Sequence, residues 1–238
     1  MTSKLKESID QLYRIFSTYR GNPNMVGSPL IKDLENFNRQ LFSKPLTHLT
    51  SDDLSTFTGK AMTTWGEVND YKHFLPRMLE LTATNNAPYD IEIIFSKLEY
   101  GNWQTWDEIE QKAIHEYMFA LWENLLQDNT EKAEDEFSGY FYIIALHYPD
   151  LNELLKIWLA ETHIASTKHL ANFIFDERAN IFDKPANSLS ELKDWLLSET
   201  IIKRLEAAFF QYEKESFSER ISWAEKILTD ERRNSIKQ

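Results

Sequence analysis

Trp65, Asp70, His73 and Arg77 lie within one stretch, "TTWGEVNDYKHFLPRMLEL", from Thr63 to Leu81. They bring an indole, a carboxylate, an imidazole and a guanidinium together, groups that suit recognition of a small ligand by hydrogen bonds and charge. In one continuous helix, Asp70, His73, Arg77 and Glu80 would share a stripe, with Asp70 and His73 at i,i+3 and His73 and Arg77 at i,i+4. Pro76 works against that geometry. It donates no bond to the Lys72 carbonyl and disfavours a helical conformation at Leu75. The spacing predicts a single turn over 70–74, then a helix opening at Pro76, where proline is comfortable. On that reading Asp70 caps the turn, His73 bonds backbone near the break, and Arg77 and Glu80 face solvent. The binding alternative has Trp65, Asp70, His73 and Arg77 converging around the break.

Other chemistry finds fewer footholds. The chain has no Cys, which excludes disulfides, thiolate chemistry and Cys-ligated zinc. Six His residues give no H-E-x-x-H; His115-Glu116 stands alone. Glu108 and His115, seven residues apart, would lie about 10 Å apart along a helix axis, too far to share an ion. His163 and His169 point to different sides of a helix. There is no G-x-S-x-G and no glycine-rich phosphate loop. No catalytic residue, metal site or cofactor is expected, and binding is favoured over catalysis.

The formal net charge is −12, a sign that disfavours a nucleic-acid backbone. Between Asp107 and Glu136 ten acids face two bases, and the richest part holds Glu131, Glu134, Asp135 and Glu136. Such a run is ordinarily a solvated face; its sharper reading is a docking surface for a basic protein, where charge speeds encounter. The longest strongly apolar run, "YFYIIAL" at 140–146, is far shorter than a membrane span. "MTSKLKESIDQLYRIF" has no apolar core of signal-peptide length. The expectation is a soluble cytoplasmic protein without a membrane or nucleic-acid partner.

The elements that must position these residues read as helices. Leu5, Ile9, Leu12, Phe16 and Tyr19 recur at helical spacing over 4–19. "GNPNMVGSP" is a loop, and a second helix is predicted over 29–42 with Pro29 in its first turn. A third is predicted from the cap-type start "TSDD" to about Trp65, ended by Gly66. Asp90 caps a short helix ended by Gly101. Thr105 and Glu108 read as a capping box for the longest helix, 106–126. Further helices are predicted over 134–147, from Asp150 to about 160, through "ETHIASTKHLANFIF", from a capping box at Ser188 and Glu191, and over 199–213 and 217–228. "TDERRNSIKQ" should fray. Six of the seven Trp (Trp103, Trp106, Trp122, Trp158, Trp195, Trp223) mostly sit beside Leu and Ile at helical spacing, which reads as core; an exposed aromatic groove for a peptide or helix is the alternative.

"KAMTTWGEVNDYKHFLPRMLEL", Lys60–Leu81, resembles a recurrent segment in a family of uncharacterised bacterial all-helical proteins. The similarity extends over roughly Pro45–Leu126, including "SKLEYGNWQTWDEIEQKAI", and more weakly toward the C-terminus. The family has no established activity, so the resemblance carries over no catalytic residue. Some of its members place a Cys pair in the loop matching "GNPNMVGSP"; this chain has none, which weighs against a metal there.

The expectation is an all-α fold of about ten helices in antiparallel pairs, either a HEAT-like superhelix or an orthogonal bundle. It is read as a single domain, 1–238, with candidate sub-unit boundaries near 128–133 or 178–188. No fixed internal repeat stands out. The functional expectation is a non-catalytic protein-interaction module, an adaptor or an immunity-type inhibitor that blocks a basic toxin. The alternative is an enzyme or small-ligand binder centred on Trp65–Arg77.

Overall fold

Apolar stripes wind the chain into helices, and helix packing is what leaves a site open. The computed structural model describes residues 1–183 and 190–236. It is all-α. Among the described residues there is no strand, only isolated backbone bridges at Gly27, Ala61 and Trp65. The helices are α1 (Ser3–Phe16), α2 (Leu34–Leu41), α3 (Ser51–Lys60), α4 (Val68–Ala83), α5 (Ile91–Tyr100), α6 (Glu108–Leu125), α7 (Glu131–His147), α8 (Leu151–Ala160), α9 (Ile164–Asp176), α10 (Ser190–Leu196), α11 (Glu199–Gln211) and α12 (Ser218–Ile236). Among the described residues no helix is long and apolar enough to cross a membrane.

The chain divides into two compact units, Met1–Leu121 and Trp122–Gln238. The divide falls inside α6, ahead of the 128–133 link.

In the first unit α1 packs on α4. Leu5, Ile9, Leu12 and Phe16 of α1 are buried, as are Tyr71, Phe74, Leu75, Met78 and Leu79 of α4. Burying each such side chain contributes about 1.5–3 kcal/mol. That total explains why α4 runs unbroken through Pro76, against the expectation of a turn and a fresh start. One missing backbone bond at Lys72 is small beside a helix face buried along four turns.

Four other expectations are corrected. The second helix begins at Leu34, not 29: Leu30 is exposed, Asp33 has φ 63°, and the preceding loop is spent on bonds to "TTWG". Ser28 N–H donates to the Thr64 carbonyl and Gly66 N–H to that of Val26. For the same reason α3 stops at Lys60, and Met62 turns back with φ 60° so that Trp65 enters the core. Thr105 does not cap α6. It lies in a 3-10 turn over Trp103–Thr105, and the N–H of Asp107 instead donates to the Glu110 carboxylate. At the far end α12 continues to Ile236, held where Leu228 is buried and Glu231 meets Arg178 at 2.7 Å. The expected cap Ser188 lies outside the described residues.

The second unit is built on α9 and α11 against α12. Its ring cluster centres on Trp158, whose centroid lies 5.1–5.6 Å from those of Phe137, Trp122, Trp195, Phe141 and Phe173. Offset and edge contacts at this range add to the area buried.

Candidate functional site

The polar residues of α4 do one thing together: they hold the segment that follows α1. Asp70 accepts from the backbone N–H of Glu67 at 2.9 Å, capping α4, and from the N–H of Asn22 at 3.3 Å. Lys72 donates to the Tyr19 hydroxyl at 3.0 Å, and His73 Nδ1 lies 2.9 Å from the Tyr19 carbonyl. Tyr19 is thus fixed at both ends by consecutive residues of one helix. Gly66 has φ +70°, and a Cβ there would sit 3.2 Å from the Asp70 carboxylate, so glycine is what lets the loop turn into α4.

Behind Tyr19 lies a buried ion pair. Lys72 Nζ is 2.6 Å from Glu110 Oε2, with both side chains under a tenth exposed. The ammonium also lies over the rings of Trp106, at 4.2 Å, and Tyr19, at 4.7 Å. Burial, aided by Glu110, pushes the Tyr19 hydroxyl up from its ordinary range, so it stays protonated.

In front of Tyr19 a cleft of about 450 Å³ opens between the end of α1, the 41–49 link and α4. His73 lines it. Its ring stacks on Phe42 (5.9 Å, 12°) and meets Phe74 edge-on at 4.7 Å. Gly21 closes the arrangement: a Cβ there would come within 2.5 Å of His73 Cδ2 and 2.7 Å of Phe42 Cζ. Arg20 and Lys44 also line the cleft, and among the described residues none that lines it is acidic. Lys44 is paired with Asp53 at 2.6 Å. Burial opposes the Asp53 charge, but Lys44 and the Thr50 backbone and hydroxyl outweigh it and hold its carboxyl down at about 2.

The four expected binding residues therefore separate. Only His73 lines this cleft. Asp70 clasps Asn22. Trp65 is a core residue whose Nε1 donates to Asn38 Oδ1 at 3.0 Å, wedged against Phe37 and Phe57. Arg77 turns away, its Nε donating to the Leu49 carbonyl at 2.7 Å and its Nη1 meeting Glu80 at 2.6 Å, where the Tyr13 hydroxyl also donates. Burial and then Glu80 push the Tyr13 hydroxyl up.

Sequence reasoning missed Arg20, Lys44, Phe42 and Tyr19. Tyr19 and Phe42 stand at the ends of the helices expected over 4–19 and 29–42, just beyond where α1 and α2 stop, and Arg20 and Lys44 lie in links with no local signature. The one available signal was Gly21, read only as a helix stop. The Lys72–Glu110 pair did leave a mark: Lys72 interrupts the apolar face Tyr71–Phe74–Leu75, and Glu110 opens the stripe Ala113–Ile114–Tyr117.

The expected acidic docking face is partly neutralised. Glu134 pairs with Lys168 at 3.0 Å and Glu136 lies 3.9 Å from Lys132, while Glu131 and Asp135 are exposed. Of the tryptophans, Trp103, Trp106, Trp122 and Trp158 are buried and Trp195 half-buried; Trp223 is 47% exposed. It flanks a second cleft of about 530 Å³ with Phe175 and Arg220, whose guanidinium lies 4.1 Å over the Phe175 ring. Among the described residues no group of three or more His, Asp or Glu side chains is placed to hold a metal ion. Compared with known proteins, the chain matches no family model, no curated protein and no solved structure.

Proposed function

We propose that the protein acts by binding a small molecule in the cleft beside His73. One observation carries the reading: a concave site of about 450 Å³, walled by aromatic and aliphatic side chains, with a few polar groups brought to it from three separate segments. Ligand sites typically have this size and this mixture. The clasp of Asp70, Lys72 and His73 on residues 19–22 supplies the rigidity that a binding site needs. Ser17 and His73 both line the cleft, but the Ser17 hydroxyl donates to the Arg14 carbonyl at 2.7 Å and His73 Nδ1 faces the Tyr19 carbonyl, so the reading stops at binding.

The test is a fragment screen on the full chain by ligand-observed NMR, repeated on Ser17→Trp. Ser17 lines the cleft and is exposed, so the variant fills the mouth without touching the core. Fragments that bind the native chain and are lost in S17W support the site. Fragments that bind both chains equally, or no fragment binding at millimolar concentration, overturn it.

A protein partner is the second reading, and the exposed Phe175–Trp223 groove favours it, since Trp and Arg dominate binding hot spots. Capture experiments with native, Trp223→Ser and Glu131→Lys/Asp135→Lys baits separate its versions. A partner lost on W223S supports the groove, and one lost on charge reversal supports the acidic face. A partner retained by both variants counts against each.

A further inference from the structure

The chemistry of the ligand follows from the cleft, and this step rests on reading the cleft as the binding site. We propose that it takes a small organic monocarboxylate with an aromatic or short aliphatic body, anchored by Arg20.

Charge is the first reason. In a chain of net charge −12, the cleft is lined by Arg20, Lys44 and His73 and, among the described residues, by no carboxylate. Lys44 already meets Asp53 at 2.6 Å, so its charge is largely compensated. Arg20 is exposed and has no ion pair among the described residues. One uncompensated guanidinium, with its planar fork of donors, matches the two oxygens of one carboxylate.

The imidazole is the second. A carbonyl only accepts, so His73 Nδ1, facing the Tyr19 carbonyl, must carry a proton. The other nitrogen, Nε2, has no hydrogen-bond partner among the described residues. With both ring nitrogens carrying protons, Nε2 donates to a ligand carboxylate while Nδ1 keeps the Tyr19 carbonyl. The stack on Phe42 and the close approach of Gly21 hold the ring in that orientation.

Polarity along α1 is the third. Phe16 and Ser17, at its C-terminal end, line the same cleft. A helix C-terminus presents partial negative charge, which opposes a dianion more strongly than a monoanion. Phosphate esters are therefore disfavoured, and the rings of Phe42 and Phe74 leave the ligand body to be apolar.

Three probes test this on the full chain: 3-phenylpropanoate, its primary amide 3-phenylpropanamide, and phenyl phosphate. Each is titrated against native protein, Arg20→Gln and Arg20→Lys. The propanoate should bind at least about tenfold more tightly than the amide, the scale of one charge-assisted contact. R20Q should remove that preference while leaving the amide's affinity unchanged, and R20K should restore part of it. Amide and acid binding within a factor of about two of each other, or phosphate binding most tightly, would overturn the carboxylate assignment while the cleft still stands. Failure of all three probes, together with an empty fragment screen, would bring down the cleft reading itself.

Discussion

Lys72 and Glu110 show how one residue's contribution depends on what is left behind when it goes. Both side chains are more than nine-tenths buried, so each has lost its water and depends on the other. Glu110→Ala strands an ammonium among Trp106, Tyr19 and the α4 backbone, and should destabilise the first unit by about 3–5 kcal/mol. Replacing both together, Lys72→Met with Glu110→Leu, removes the charges and keeps the volume, and should cost far less than the single change. Urea unfolding of the three chains checks this, since a pair that mattered only as packing would make the single and double changes equal. The double variant also releases the Tyr19 hydroxyl while leaving its carbonyl on His73, so it separates the two ends of the clasp.

At the scale of elements, glycines distinguish a helix that needs its backbone from one that does not. Gly139 lies inside α7 with open space where a Cβ would go. Gly139→Ala should stabilise by about 0.5–1 kcal/mol through helix propensity alone. Gly66→Ala should destabilise by about 1–2 kcal/mol, because φ is +70° and the new methyl meets Asp70 and Met25. Paired thermal melts decide it, and a stabilising G66A would mean that the loop before α4 is not strained. The same contrast explains what was legible in the sequence. Helices whose ends are set locally were read well: Asp90 caps α5 and Gly101 ends it, and Asp150 caps α8. Ends set by distant partners were not. Trp65 stops α3 early because Asn38, Phe37 and Phe57 draw it inward, and Pro76 stays helical because α1 buries the face it shares. The site was legible only in part for the same reason. His73 stands out by its type, but Arg20 and Phe42 reach it through tertiary packing that no local spacing encodes.

Across the whole molecule the net charge is negative, and one fully buried histidine of the second unit resists becoming positive. His169 is fully buried, stacks on Phe137 at 4.3 Å and 9°, and has Nε2 2.9 Å from the Asp128 carbonyl. That carbonyl requires the proton on Nε2, and Nδ1 has no partner among the described residues. Burial lowers the imidazole below its ordinary 6.5, although the Asp128 carbonyl and Glu134 pull the other way. The unfolded chain therefore takes up a proton that the fold resists. The resulting stability is fully present above pH 6.5 and is lost as pH falls below it. Asp53, held at about 2, loses its share only in strong acid. Unfolding midpoints should thus fall from about pH 7 to about pH 5, and less steeply in His169→Gln, which keeps a donor for the Asp128 carbonyl but cannot be protonated. His115 is lowered by burial in the same direction, so the native slope should shrink in H169Q without vanishing. Identical slopes in the two chains would mean that His169 accepts its proton in place, and that the stack on Phe137 holds an imidazolium.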